Sequence, residues 1–278
     1  MRRLNPTQIE KFIYEGFVKI EDAFPVEIAD ECRAILWEAT KCDPENPNSW
    51  TQPVIRIGEL GLEPFVKAAN TAILHKTFDQ LVGKDNWHPK KTLGSFPIRF
   101  PSKKPSTDTG WHVDASFPGE DPNNYLEWRI NFYSKGRGLL MLFLFSDVSE
   151  KDAPTVIKLG SHLDVSKILE PKGEKGLSFM ELAQQLDDLP KREEIVATGK
   201  AGTVYLCHPF IVHAAQDHHG RARGHDLVSW RRRLCGGCCA SRRSRPHAEP
   251  PRLERRSLGQ ALSTRGSARA ATRGAIVC

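Results

Sequence analysis

The chain opens with apolar residues at helical spacing. Ile9, Phe12 and Ile13 fall on one face of a segment that Asn5 or Thr7 can cap, with Pro6 tolerated in its first turn and Gly16 ending it. Phe17-Val18-Lys19-Ile20 then alternates as a strand does. After Pro25, the positions of Ile28, Cys32, Ile35 and Leu36 predict a second helix. Phe65, Ala68, Ala69, Ala72, Ile73 and Phe78 predict a third over residues 64–81. Past Trp87 the pattern changes to short apolar runs punctuated by Pro, Gly and charged turns, which predicts strands at 93–100, 110–114, 126–133, 139–145, 155–159, 203–206 and 210–214. Helical sequence interrupts them once, around 178–186. Helices followed by a run of strands predict a mainly β fold with N-terminal helices, a sandwich or jelly-roll barrel with the helices packed outside.

A chain of 278 residues has room for one good-sized core. We expect one domain over 1–230, helical over 1–86 and β over 87–230. The longest apolar run, 138–145, is too short to span a bilayer, and the Met-Arg-Arg start leads into polar, helix-capping sequence and not an apolar signal block. The expectation is a soluble, cytoplasmic protein without a membrane partner.

The formal charge of +6 changes the picture once it is located. Residues 221–278 hold fourteen Arg, no Lys and three acids, a net +11, which leaves the first 220 residues at −5. The body is acidic and only the tail is basic. That tail has one aromatic residue, Trp230, so it lacks the stacking groups of a single-strand binder, and no nucleic-acid partner is expected. Beyond Gly220 apolar periodicity fades. His225 to Trp230 has the pattern of one more short strand, whereas 231–278 reads as an Arg-rich tail unable to bury enough surface to fold, or as an aberrant extension. The seven cysteines, four of them in the tail, imply no disulfide framework. Cys235-Gly-Gly-Cys238 has half a zinc-site spacing, with His247 nearby but no second pair.

Candidate chemistry concentrates in Trp111-His112-Val113-Asp114. On a strand, residues i and i+2 share a face, so the His112 imidazole and the Asp114 carboxylate would point together into the fold. One facing histidine completes a two-histidine, one-carboxylate triad, which leaves positions on Fe(II) open for a bidentate co-substrate and O2. A His-x-Asp pair alone is a weak signal, and a hydrogen-bonded core pair is its commoner origin. The partner is sought in Cys207-His208-Pro209-Phe210-Ile211-Val212-His213. His208 and His213 would face opposite ways on one strand, and Pro209 interrupts the ladder beside His208. His213 is therefore preferred as the ligand, and His208 as a structural histidine at a strand junction.

These motifs, in this order, resemble the phytanoyl-CoA dioxygenase family over residues 4–220. The segment from Leu4 to Ala23 resembles its N-terminus, His112-Val113-Asp114 its His-x-Asp, Gly160-Ser161-His162 its Gly-Ser-His turn, and His208 to Ala214 its distal-histidine strand. The resemblance implies a double-stranded β-helix of the cupin-like, jelly-roll kind, Fe(II) as metal, 2-oxoglutarate as co-substrate and O2. The implied reaction hydroxylates or otherwise oxidises a C–H bond of a small-molecule substrate, releasing succinate and CO2. It also places His162 at a surface turn and not at the metal. The departure lies at the co-substrate anchor. The family's arginine past the distal histidine corresponds here to Gly224, flanked by Arg221 and Arg223, of which Arg223 is the nearer substitute. An arginine suits that role because its guanidinium fork takes a carboxylate through two hydrogen bonds. The alternative reading is a catalytically silent barrel that binds metal or a small ligand.

Overall fold

The computed structural model describes residues 3–220 and the two-residue strand Trp230–Arg231. Helix α1 (Pro6–Glu15) begins with a reciprocal cap, in which the Asn5 side chain accepts the Gln8 N–H and the Gln8 side chain accepts the Asn5 N–H. It ends at Gly16, whose φ of 88° is left-handed. A Cβ there would lie 2.5 Å from both His162 Nδ1 and Ile211 Cδ1, so the position demands glycine for conformation and for space. Only Phe12 of the predicted apolar face is buried, and Ile13 is 52% exposed. Strand β1 (Phe17–Ile20) and helix α2 (Val26–Thr40) follow as the spacing predicts.

The predicted third helix is two helices, α3 (Glu63–Ala69) and α4 (Ala72–Leu81). Apolar spacing runs through the break, and polar side chains make it. Asn70 accepts the Lys90 N–H and donates to the Val66 carbonyl, while Thr71 caps the Leu74 N–H and donates its hydroxyl to the Ala23 carbonyl. Strand β2 (Val54–Ile57) precedes them and pairs with β3 (Phe96–Arg99). The remaining elements are β4 (Arg129–Ile130), β5 (Leu140–Phe143), β6 (Val156–Lys158), α5 (Ser161–Leu169), β7 (Leu177–Ser178), α6 (Phe179–Ala183), β8 (Glu194–Val196), β9 (Val204–Cys207), β10 (His213–Ala214) and β11 (Trp230–Arg231). The strand expected over 110–114 is reduced to a single bridge, His112 to His213. The chain changes partner just beyond it, where Ser116 and Phe117 pair with Arg129, so no ladder can extend.

Among the described residues the strands form four small sheets: a four-stranded sheet in the order β1-β9-β5-β11, a three-stranded sheet β10-β6-β8, and the pairs β2-β3 and β4-β7. Every pairing in the four-stranded sheet is antiparallel, with Phe17 opposite Cys207 and Cys207 opposite Leu140. Its two central strands, β5 and β9, are apolar on both faces, which is why their sequences read as continuous runs without alternation. Met141, Phe143, Val204 and Leu206 pack towards the helices, in a cluster with Leu36, Phe65 and Phe78. Leu140, Leu142, Tyr205 and Cys207 face the other way, against Ile157 of β6 and Ile195 of β8. A third cluster, including Val113, Ile130, Val165, Leu169, Leu182 and Val212, packs beside the bridge between His112 and His213.

The helix-facing layer is rich in aromatic contacts. Phe145, fully buried, meets Phe24, Phe65, Phe96 and Phe143 at centroid distances between 5.4 and 6.3 Å. Phe145→Ala is expected to destabilise the fold by about 3–5 kcal/mol, read as a lower denaturation midpoint at unchanged slope. Among the described residues no helix is long and apolar enough to cross a membrane.

Candidate metal centre

His112 and His213 exchange both backbone hydrogen bonds, at 3.0 Å each, which brings their rings to a centroid separation of 4.6 Å. Each imidazole is oriented by a carbonyl two residues before it. His112 Nδ1 lies 2.8 Å from the Gly110 oxygen, and His213 Nδ1 lies 2.9 Å from the Ile211 oxygen. A carbonyl can only accept, so Nδ1 must carry the hydrogen in both rings, and in the neutral imidazoles Nε2 presents its lone pair. Both Nε2 atoms face the same carboxylate oxygen, Asp114 Oδ1, at 3.7 Å from His112 and 3.9 Å from His213. One ligand atom from each of the three residues lies within 4.8 Å of the others.

The carboxylate is held from behind. Arg137, 2% exposed, places Nη1 3.2 Å from Asp114 Oδ2 and donates from Nη2 to the Ala115 carbonyl at 2.8 Å. The Tyr125 hydroxyl accepts the Ala115 N–H. The donor set, two Nδ1-anchored imidazoles and one carboxylate, is the set that suits non-haem Fe(II) with an open face for 2-oxoglutarate and O2. That open face has somewhere to look: His112 and Asp114 line a cavity of about 550 Å³.

The cavity has two kinds of wall. Trp111, Tyr125, Leu126 and Phe179 supply an apolar, largely aromatic side, and Arg56, Arg99 and Asp108 a charged one. Trp111, the first residue of the Trp-His-Val-Asp motif, lines it and is backed by Lys158 Nζ, 4.2 Å above its ring. Phe117 is not among the lining residues; its ring takes Lys135 Nζ at 5.1 Å. Arg99 is 4% exposed and engages Ser106 and Asp108. Arg137 and Arg56 carried no sequence signal, since an arginine in a Gly-Arg-Gly turn or a short strand is most often a surface residue.

Two other histidines weighed in the sequence, His162 and His208, are placed differently from expectation or with more detail. His162 is not at a surface turn: it is buried in the first turn of α5 and contacts the Ile13 carbonyl through Nε2 at 3.0 Å. His208 lies just past β9, its N–H donating to the Gly16 carbonyl and its ring 4.8 Å from that of His162. His218 is buried and its neighbour His219 is exposed. Arg221, Arg223 and Gly224, the tail cysteines and His247 lie outside the described residues.

No family model and no curated protein matches the chain. Among solved structures, GlcNAc Inducible Gene 2, GIG2 (DUF1479), from Candida albicans is similar with a TM-score of 0.53 and 16% identity, over 83% of this chain and 64% of that one. EctD from S. alaskensis with bound Fe gives 0.50 and 16%, over 82% and 75%. The same EctD with 2-oxoglutarate and 5-hydroxyectoine gives 0.47 and 18%, over 82% and 75%. At such identities the likeness is one of fold.

Proposed function

We propose that the protein is a non-haem Fe(II), 2-oxoglutarate-dependent dioxygenase that oxidises a small molecule, with the iron held by His112, Asp114 and His213. The observation that carries this reading is the convergence of the three ligand atoms, both imidazoles anchored through Nδ1, with His112 and Asp114 on the wall of a cavity large enough for a substrate. The order of motifs resembling the phytanoyl-CoA dioxygenase family supports it, and we read the two facing sheets as the halves of a double-stranded β-helix. When bound, Fe(II) with 2-oxoglutarate and O2 supplies oxidation of a C–H bond, with succinate and CO2 as co-products.

The residues of the chain do the rest. The Gly110 and Ile211 carbonyls hold the imidazoles in one tautomer, Arg137 fixes the carboxylate, and Trp111, Tyr125 and Phe179 keep water from the reacting face. Arg223 or Arg221 is the cation proposed for the co-substrate's distal carboxylate.

Anaerobic titration of the full chain with Fe(II) and 2-oxoglutarate tests the reading. A weak visible charge-transfer band of the chelate is expected in the wild type and absent from His112→Ala. Iron binding without the band would overturn the dioxygenase and leave the silent, metal-binding barrel that Gly224 suggests.

A further inference from the structure

The charged wall of the cavity says what enters it. Arg56 and Arg99 come from neighbouring antiparallel strands, in a register that sets Arg56 opposite Pro97, two residues before Arg99, so Arg56, Pro97 and Arg99 share one face and all three line the cavity. Both guanidiniums engage Asp108: Arg99 Nη2 at 2.7 Å, and Arg56 through its own Nη2. Arg99 is sunk in the wall and also reaches Ser106, whereas the Arg56 side chain is 55% exposed with Asp108 as its ion-pair partner. Asp217 lowers the positive field at Arg99 from behind, through Ser106, and does not itself line the cavity. The other lining carboxylate, Asp114, is matched by Arg137. A ligand in the cavity therefore meets two guanidiniums and one carboxylate together with Trp111, Tyr125, Leu126 and Phe179, with His112 and Asp114 also on the wall.

We propose that Arg56 and Arg99 form a carboxylate-binding subsite, and that the cavity takes an amphiphilic carboxylic acid whose apolar body lies on the aromatic wall. Arg56 is the contact residue, because a guanidinium with one donor engaged keeps a fork of N–H groups for a second carboxylate. Arg99 fixes Asp108 and adds field from within the wall. The body of the acid, apolar and planar or extended, gains from burial against Trp111 and Phe179. The proposal deepens the dioxygenase reading by naming the class of molecule held beside its metal. The same chemistry would also serve a carboxylate of 2-oxoglutarate, and the test separates the two sources.

The test is calorimetric titration of the full chain, without metal and with Fe(II) under anaerobic conditions, using hexanoate, 3-phenylpropionate and the corresponding neutral amides as probes. The acid of at least one pair is expected to bind ten-fold or more tighter than its amide in the wild type. Arg56→Gln is expected to erase that preference, and Arg56→Lys to restore part of it, which a merely structural role for this exposed side chain would not do. No preference for acid over amide in either pair, or a preference that survives in Arg56→Gln, overturns the proposal. If Arg56→Gln also weakens 2-oxoglutarate binding and the probe acid competes with it, the subsite serves the co-substrate; if 2-oxoglutarate is unaffected, it serves the substrate. Acid preference without the Fe(II)/2-oxoglutarate band would sink the dioxygenase reading and leave the subsite standing, and the band without acid preference would do the reverse.

Discussion

An Asp114→Ala chain is expected to lose its metal and several kcal/mol of stability together. Removing an outer partner of a metal ligand typically costs about 10–100-fold in affinity, so removing the ligand itself should exceed the upper figure. The stability effect has a separate origin. Asp114 is buried against the buried Arg137, and deleting one member of such a pair leaves a charge stripped of water with nothing opposite it, at a cost of about 3–5 kcal/mol. The double variant Asp114→Ala, Arg137→Leu removes both charges and should regain most of that loss while still failing to bind Fe(II). Denaturant melts and metal titrations of the wild type, single and double variants measure the two effects independently. A double variant no more stable than the single one would mean that Arg137 does not depend on Asp114 for its burial.

The second large effect is acid lability centred on His208 and His162. Burial, together with the neighbouring His162, pushes the His208 pKa down from its ordinary 6.5 to about 3. Burial also lowers His162, aided by Arg192 and opposed by the Ile13 carbonyl and Asp164. Between the folded and unfolded values the unfolded chain holds a proton that the folded chain refuses, so stability falls as pH falls. For His208 the contribution is intact above about pH 6.5 and declines through the window down to about 3, by at most about 1.4 kcal/mol per pH unit, and the lowered His162 adds in the same sense. His218, buried and likewise lowered, adds in the same sense. Denaturation at pH 7.5, 6 and 5 should show the wild type losing stability faster than His208→Gln, and parallel losses would exclude His208 as the source.

What the sequence made legible divides along physical lines. Elements whose signal is local were readable. Asn5, Pro6 and Gly16 bound the first helix through caps and a left-handed residue, and these depend on near neighbours alone. The doubly buried run at 139–145 was readable because a strand covered on both faces is apolar at every position. The split at Asn70 and Thr71 was not, since it depends on partners at Lys90 and Ala23. The His112, Asp114 and His213 cluster is assembled by a bridge between segments far apart in the chain, and those residues were singled out by parity on each short segment together with the interruption that Pro209 makes beside His208. The charges around the cluster were not selectable in that way. Arg137, Arg99 and Arg56 acquire their meaning from burial and from carboxylates elsewhere in the chain, and a solvated arginine looks the same in sequence. His162 was misplaced for a similar reason: a Gly-Ser-His triplet reads as a turn, but the turn opens a helix that is packed under Gly16.

The strand order has a consequence for how the molecule comes to exist. In the four-stranded sheet β1 pairs with β9, so Phe17 waits for Cys207, and β9 is also the partner of β5. During synthesis the first strand and the apolar faces of α2, α3 and α4 therefore emerge long before the strand that joins the sheet together. A topology so dominated by distant pairings folds slowly once complete, and until then its aromatic layer is open to association with other chains. The segment 204–214 thus serves twice: β9 closes the sheet, and a few residues later His213 arrives beside His112. The candidate metal centre can form only at the moment the fold itself becomes closed.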